Sequence, residues 1–208
     1  EFPARIGATV YDGSRYVYLL QGDSYNYAGM TAMAKFDLQT NKITPETPPL
    51  PVDRTYNGNG EVLYHQAWTG SSIAYDGSDN IYYIQGPNST GSYVDKYQVS
   101  IKRWTRLPDI PCSYYGGGIV HTGTTLFAFC GNNTVTSFKY DPTNSNWIQL
   151  ADAPNTINAG GNQIAVYTGG DEIYVLRGAN TAMLYKYIIS TNTWSTESSS
   201  GGPTIGNS

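Results

Sequence analysis

Lys139-Tyr140-Asp141-Pro142-Thr143-Asn144-Ser145-Asn146-Trp147 is the stretch on which the reading of this chain turns. A Lys and an aromatic residue lead into a short polar turn, and a Trp returns seven residues after the Tyr. Pro presets its own backbone angle, and Asp and Asn side chains bond to nearby main chain, so such a run reverses direction. The segment therefore reads as two short strands joined by a turn. The same spacing recurs at Lys35-Phe36 with Ile43, Lys96-Tyr97 with Trp104, and Lys186-Tyr187 with Trp194. Four copies at one fixed spacing are an internal repeat, and periods of about 40–50 residues mark the blades of propellers.

Upstream of each copy lie two further strand-like runs. The second of them ends in Gly: Val17-Tyr18-Leu19-Leu20-Gln21-Gly22, Ile81-Tyr82-Tyr83-Ile84-Gln85-Gly86, Leu126-Phe127-Ala128-Phe129-Cys130-Gly131 and Ile173-Tyr174-Val175-Leu176-Arg177-Gly178. The first ends at an Asp-Gly or Thr-Gly turn, at Gly13, Gly77, Gly123 and Gly169. Each repeat thus holds four short strands, the inner two continuously apolar, as strands buried on both faces are. One four-stranded sheet of this length cannot cover its own two faces. Stacking sheets radially does so, which is the physical reason for repetition.

A strand ending in Gly, a Tyr-Asp-Pro turn, a Trp seven residues after the Tyr, and a Leu-Pro ending together resemble the kelch repeat. The Leu-Pro ending stands at Leu50-Pro51 and Leu107-Pro108-Asp109-Ile110-Pro111, and loosely at Leu150-Ala151-Asp152-Ala153-Pro154. The resemblance implies an all-β, kelch-like β-propeller of four four-stranded antiparallel blades. It departs from the usual pattern where a second Gly is expected, at Asp23, Pro87, Asn132 and Ala179, and where Ile43 replaces Trp. The propeller is expected over residues 1–197, with repeats near 5–51, 69–111, 116–154 and 160–197, an insertion at 44–68, and a Ser/Gly-rich tail at 198–208. Four blades can close alone, combine with a second chain into an eight-bladed ring, or assemble in a chain. Phe2-Pro3-Ala4-Arg5 is similar to the end of a preceding blade, which favours self-closure.

Composition narrows the function. Of 208 residues only 13% are charged, while Tyr contributes 19 and Gly 23. The net charge is −4 and the basic residues are scattered, so the Lys/Arg patch that nucleic acid requires is missing. No apolar run reaches the ~20 residues of a membrane helix. The chain begins Glu1-Phe2-Pro3, as a mature or trimmed form would. Low charge, a Tyr/Asn/Thr-rich surface and the sequons at Asn88 and Asn132 favour an extracellular or cell-surface setting with possible glycosylation. Cys112 and Cys130 fall on neighbouring ends of predicted strands and are the candidate disulfide.

In a four-stranded meander the loops after strands two and four emerge at one end. That loop face collects Tyr25, Tyr27, Arg54, Tyr56, His65, Trp68, Tyr114 and Tyr115, with Asn132, Asn133 and Asn180 among them. Aromatics mixed with Arg suit a protein interface. Aromatics mixed with amides also suit a sugar, whose apolar face stacks on a ring while its hydroxyls bond the amides. Two histidines, His65 and His121, are too few for a copper or zinc site, and His121 reads as structural. Asp12-Gly13-Ser14 and Asp76-Gly77-Ser78 lack the spacing of a calcium loop and are explained as hairpin turns. No phosphate loop, nucleophile elbow or catalytic triad order is present. The expectation is a non-enzymatic binding or assembly module, without metal or cofactor, for a protein partner or self-association. A carbohydrate-binding, lectin-like propeller is the alternative, and an enzyme of glycan metabolism is a more distant one.

Overall fold

The computed structural model describes residues 6–21, 33–46, 55–56, 62–63, 71–84, 92–112, 114, 117–158, 164–178 and 181–198. Each repeat is one sheet. Blade 1 is β1 (Ile6–Tyr11), β2 (Tyr16–Gln21), β3 (Met33–Asp37) and β4 (Lys42–Glu46). A separate two-stranded ladder follows, β5 (Thr55–Tyr56) with β6 (Val62–Leu63). Blade 2 is β7 (Ser72–Tyr75), β8 (Asn80–Ile84), β9 (Ser92–Gln98) and β10 (Arg103–Ile110). Blade 3 is β11 (Gly118–His121), β12 (Leu126–Phe129), β13 (Ser137–Asp141) and β14 (Asn146–Gln149). Blade 4 is β15 (Ala165–Tyr167), β16 (Glu172–Leu176), β17 (Met183–Ile188) and β18 (Thr193–Ser198). All four are antiparallel meanders, and no helix occurs among the described residues. The insertion begins later than expected, because Thr44–Glu46 complete β4.

The turns explain why the strands end where they do. Asp12 Oδ1 accepts hydrogen bonds from the backbone N–H groups of Ser14, Arg15 and Tyr16, at 2.8–3.0 Å. Asp76 Oδ1 does the same for Ser78, Asp79 and Asn80. Burial alone would raise both carboxyls, but these donors outweigh it and hold the Asp12 and Asp76 pKa values low. Gly13 and Gly77 both stand at φ 81°, which a Cβ would strain.

The inner strands β1, β7, β11 and β15 neighbour one another in that order around the axis. The approach is close enough that a Cβ on Gly118 would lie 2.7 Å from the Ala165 backbone N. The core is divided into three apolar clusters, and each fills one seam between consecutive blades. Tyr18, Leu20 and Met33 of blade 1 meet Ile73, Ile81, Tyr97 and Trp104 of blade 2. Ala74, Ile84, Val94 and Leu107 of blade 2 meet Ile119, Leu126, Ala128 and Phe138 of blade 3. Val120, Phe127, Phe129 and Leu150 of blade 3 meet Ala165, Ile173, Val175, Tyr185 and Tyr187 of blade 4.

The Trp of the repeat pins the seams between blades 2 and 3 and between blades 3 and 4. Trp147 donates its indole N–H to the Pro108 carbonyl of the preceding blade at 2.8 Å, and Trp194 donates to the Ala151 carbonyl at 2.9 Å. The Leu-Pro endings are thus acceptors for the next blade's Trp. The fold is a four-bladed, β-propeller-like arc. The expected self-closure is not met: no comparable packing joins β15 to β1 among the described residues, and no fourth cluster fills a seam between blades 4 and 1.

Candidate functional surface

The predicted disulfide is formed. Cys112 and Cys130 are bonded with Cα atoms 6.4 Å apart. Cys112 follows the last strand of blade 2 and Cys130 follows the second strand of blade 3. The bond therefore staples two blades together across their seam. Ser92 reinforces the same corner, donating its hydroxyl to the Cys112 carbonyl and accepting from the Tyr114 backbone N–H.

Tyr114 requires a correction. Its ring is fully buried and packs in the seam between blades 2 and 3, so it is core and not part of an exposed loop face. Burial pushes its phenol up, with the Ser72 hydroxyl opposing weakly. Tyr25, Tyr27, Arg54, His65, Trp68, Tyr115, Asn88 and Asn180 lie outside the described residues. Tyr56 is placed in β5, and only its strand is described.

The described part of the loop face lies over blades 3 and 4. Gly131-Asn132-Asn133-Thr134 is a tight reversal with φ of 57° and 59° at its two central residues, closed by Thr134 N–H to the Gly131 carbonyl. Asn accommodates this left-handed backbone better than most residues. Asn132 is exposed on the turn, with its sequon hydroxyl, on Thr134, bonded to the Gly131 carbonyl at 2.9 Å.

The segment that links blade 3 to blade 4 crosses this turn. The Asn133 N–H donates to the Ile157 carbonyl and the Ile157 N–H donates to the Thr134 carbonyl. The Asn158 N–H donates to the Arg177 carbonyl, and Asn158 bridges Gly178 in parallel register. Side chains repeat the link: Asn158 Nδ2 donates to Asn133 Oδ1 at 2.9 Å, and Arg177 Nε donates to the Thr156 carbonyl at 3.3 Å. Three loops from two blades are thus fixed as one polar platform carrying Asn132, Asn133, Asn158 and Arg177. Sequence reasoning found Asn132 and Asn133 but missed Asn158, which no repeat position marks, and gave no role to Arg177, which stands where the other repeats have Gln21, Gln85 and Cys130.

Two other places have the outward form of a site. His121 stacks on Tyr82 of blade 2 with ring centroids 5.2 Å apart, and its Nδ1 accepts from the Gly123 N–H. Burial lowers its pKa and Asp76 partly restores it. It is a seam residue, as expected. A cleft of about 230 Å³ beside it, lined by Tyr82, Lys96, Leu107 and Tyr140, has a counterpart at Phe127, Lys139, Leu150 and Tyr187 one blade on. Both are the same wedge between neighbouring blades, so neither is a distinct site. Among the described residues no three His, Cys, Asp or Glu side chains gather as metal ligands would.

No protein-family model matches the chain. No curated protein matches it either. Among solved structures, "Structure of YjhT" superposes with a TM-score of 0.64 at 16% identity, over 98% of this chain and 68% of that one. That likeness concerns the fold alone: this chain is similar to about two thirds of the length of that one.

Proposed function

We propose that this chain is a non-enzymatic, kelch-like binding module of the extracellular space, which contacts a protein partner through its loop face. The observation that carries the reading is the polar platform over blades 3 and 4. Its loops are tied by backbone hydrogen bonds at both ends of residues 157–158, so little ordering is lost on binding. Its Arg177 guanidinium and its cluster of amides supply directional donors and acceptors of the kind that interfaces use. The disulfide supports an oxidising compartment. Asn132, exposed on a turn tip, is the glycan acceptor in this reading.

The same Asn133–Asn158 amide pair favours a second reading, in which the platform receives a carbohydrate, with amides bonding sugar hydroxyls. The test is a binding assay with immobilised chain against extracellular proteins and free oligosaccharides. Arg177→Glu is expected to abolish the interaction. Ile101→Glu, on an exposed turn at the opposite end of the blades, is expected to leave it intact. Competition by free oligosaccharide supports the carbohydrate reading. Binding that is indifferent to Arg177→Glu contradicts both.

A further inference from the structure

Strand register aligns the four blades position by position. The set Val10–Tyr18–Lys35 in blade 1 corresponds to Ala74–Tyr82–Lys96, Val120–Phe127–Lys139 and Val166–Tyr174–Lys186. In blades 1 to 3 this face is covered by the next blade, and Val120 is 6% exposed. In blade 4 the same apolar face meets no further blade among the described residues, and Val166 is 61% exposed. Further along it, Leu176 and Leu184 are half-buried where their counterparts Leu20 and Met33 are fully buried. The opposite end of the arc is open too. Tyr11 and Ile43 of blade 1 are 50% and 49% exposed, where blade 2 places Tyr75 and a buried Trp104.

We infer that these two terminal faces are docking surfaces for two further four-stranded blades of this same repeat type, which close a six-bladed ring. Three observations choose this occupant over a second copy of the chain. The arc follows 68% of the YjhT chain, and the remaining third has about half the length of the present arc, which at the period of this repeat is room for two blades. A second copy would bring four. The free face of blade 4 also repeats the chemistry of blade 1. Lys186 pairs with Glu197 at 3.3 Å, as Lys35 pairs with Glu46 at 2.7 Å in the equivalent position. In the closed seam, Tyr97 of blade 2 donates its hydroxyl to Glu46 at 3.1 Å. The blade that docks on blade 4 therefore resembles blade 2, with its repeat Tyr hydroxyl directed at Glu197. At the period of the repeat, two blades amount to about 90 residues.

The test extends the chain after Ser198 with a copy of residues 71–154, in a Val166→Cys background. The native cysteines are paired and the copied Cys112 and Cys130 bond in the same way, so the thiol at position 166 is the one left free in the folded chain. The unextended variant is expected to be a monomer of 22.7 kDa that labels with a thiol reagent as an exposed Cys does. The extended chain is expected to be a monomer that labels at least about ten-fold more slowly, because the thiol is reached only by opening the ring. A protected thiol in a dimer of the unextended chain overturns the inference in favour of a second copy. A protected thiol in its monomer overturns it in favour of self-cover. Undiminished labelling of the folded, extended chain overturns it as well. Should that extension not fold, the same copy is placed before Ile6 and read by the protection of Tyr11→Cys. Failure of both arrangements beside a folded parent counts against the inference.

Discussion

Val120 and Val166 occupy one position of one repeat, in consecutive blades, yet the first is 6% exposed and the second 61%. The difference lies in what stands next to each. Val120 faces blade 4, whereas among the described residues no blade stands beyond Val166. The strands behind them respond accordingly. Leu126–Phe129 of blade 3 is buried at every residue, while Glu172–Leu176 of blade 4 alternates between buried and half-buried. A blade with two covered faces and a blade with one thus carry the same apolar pattern, and only the first is satisfied by it. Burial in this architecture is a property of seams, and four blades in an arc make three of them.

The largest expected effect compares matched positions across that boundary. Phe129 is fully buried and meets Trp194 edge-on at 5.6 Å. Phe129→Ala is expected to lower unfolding free energy by about 3–5 kcal/mol, and Leu176→Ala, at the equivalent half-covered position, by only about 1 kcal/mol. Urea titrations of the two variants decide it, and equal losses would break the comparison. Next is the staple between blades 2 and 3. Reducing Cys112–Cys130 is expected to cost about 3 kcal/mol by freeing a loop of this length in the unfolded chain. The corresponding loss of hydrogen-exchange protection should concentrate at Ile119–Phe129 and leave Tyr185 and Tyr187 less affected.

A smaller effect tests the Trp pins. Trp194→Phe keeps most of the ring packing but removes the bond to the Ala151 carbonyl, for a loss of about 1 kcal/mol. Ile43→Trp in blade 1, where no carbonyl of another blade faces position 43 among the described residues, should gain nothing measurable in a thermal scan. The smallest effect is a pH dependence. Burial holds the His121 pKa below its ordinary 6.5. The unfolded chain therefore binds the proton more readily, so His121's contribution is complete above pH 6.5 and is lost as pH falls through that value toward the folded pKa. A shallow loss of stability below pH 6.5 should flatten in His121→Gln. A slope that persists assigns it to other groups.

Much of this was legible in the sequence because repetition averages over local ambiguity. The four sheets, the Asp-Gly turns and the seven-residue spacing to Trp each follow from residue types whose local physics admits few outcomes; Cys112 and Cys130 could equally have stayed free thiols, and the structure pairs them. Ring closure was not legible. Val166, Tyr174 and Leu184 look like any blade's covering face, and periodicity records what a face is built to meet without recording whether a neighbour is there. Tyr114 was misplaced for a related reason: it sits outside the repeat's strands, and its burial depends on Ser92 and on a cross-blade disulfide. Asn158 was missed because loops carry no period, and Arg177 because its repeat position holds Gln or Cys in the other blades; their pairing depends on how two blades meet.

The most direct test of the open arc is paired thiol labelling of Val120→Cys and Val166→Cys in the unextended chain, at a concentration where light scattering reads 22.7 kDa. The account predicts that Cys at 166 reacts like an exposed thiol while Cys at 120 reacts about 100-fold more slowly, limited by local opening. Equal protection at both positions would mean that blade 4 is covered after all, and would contradict it.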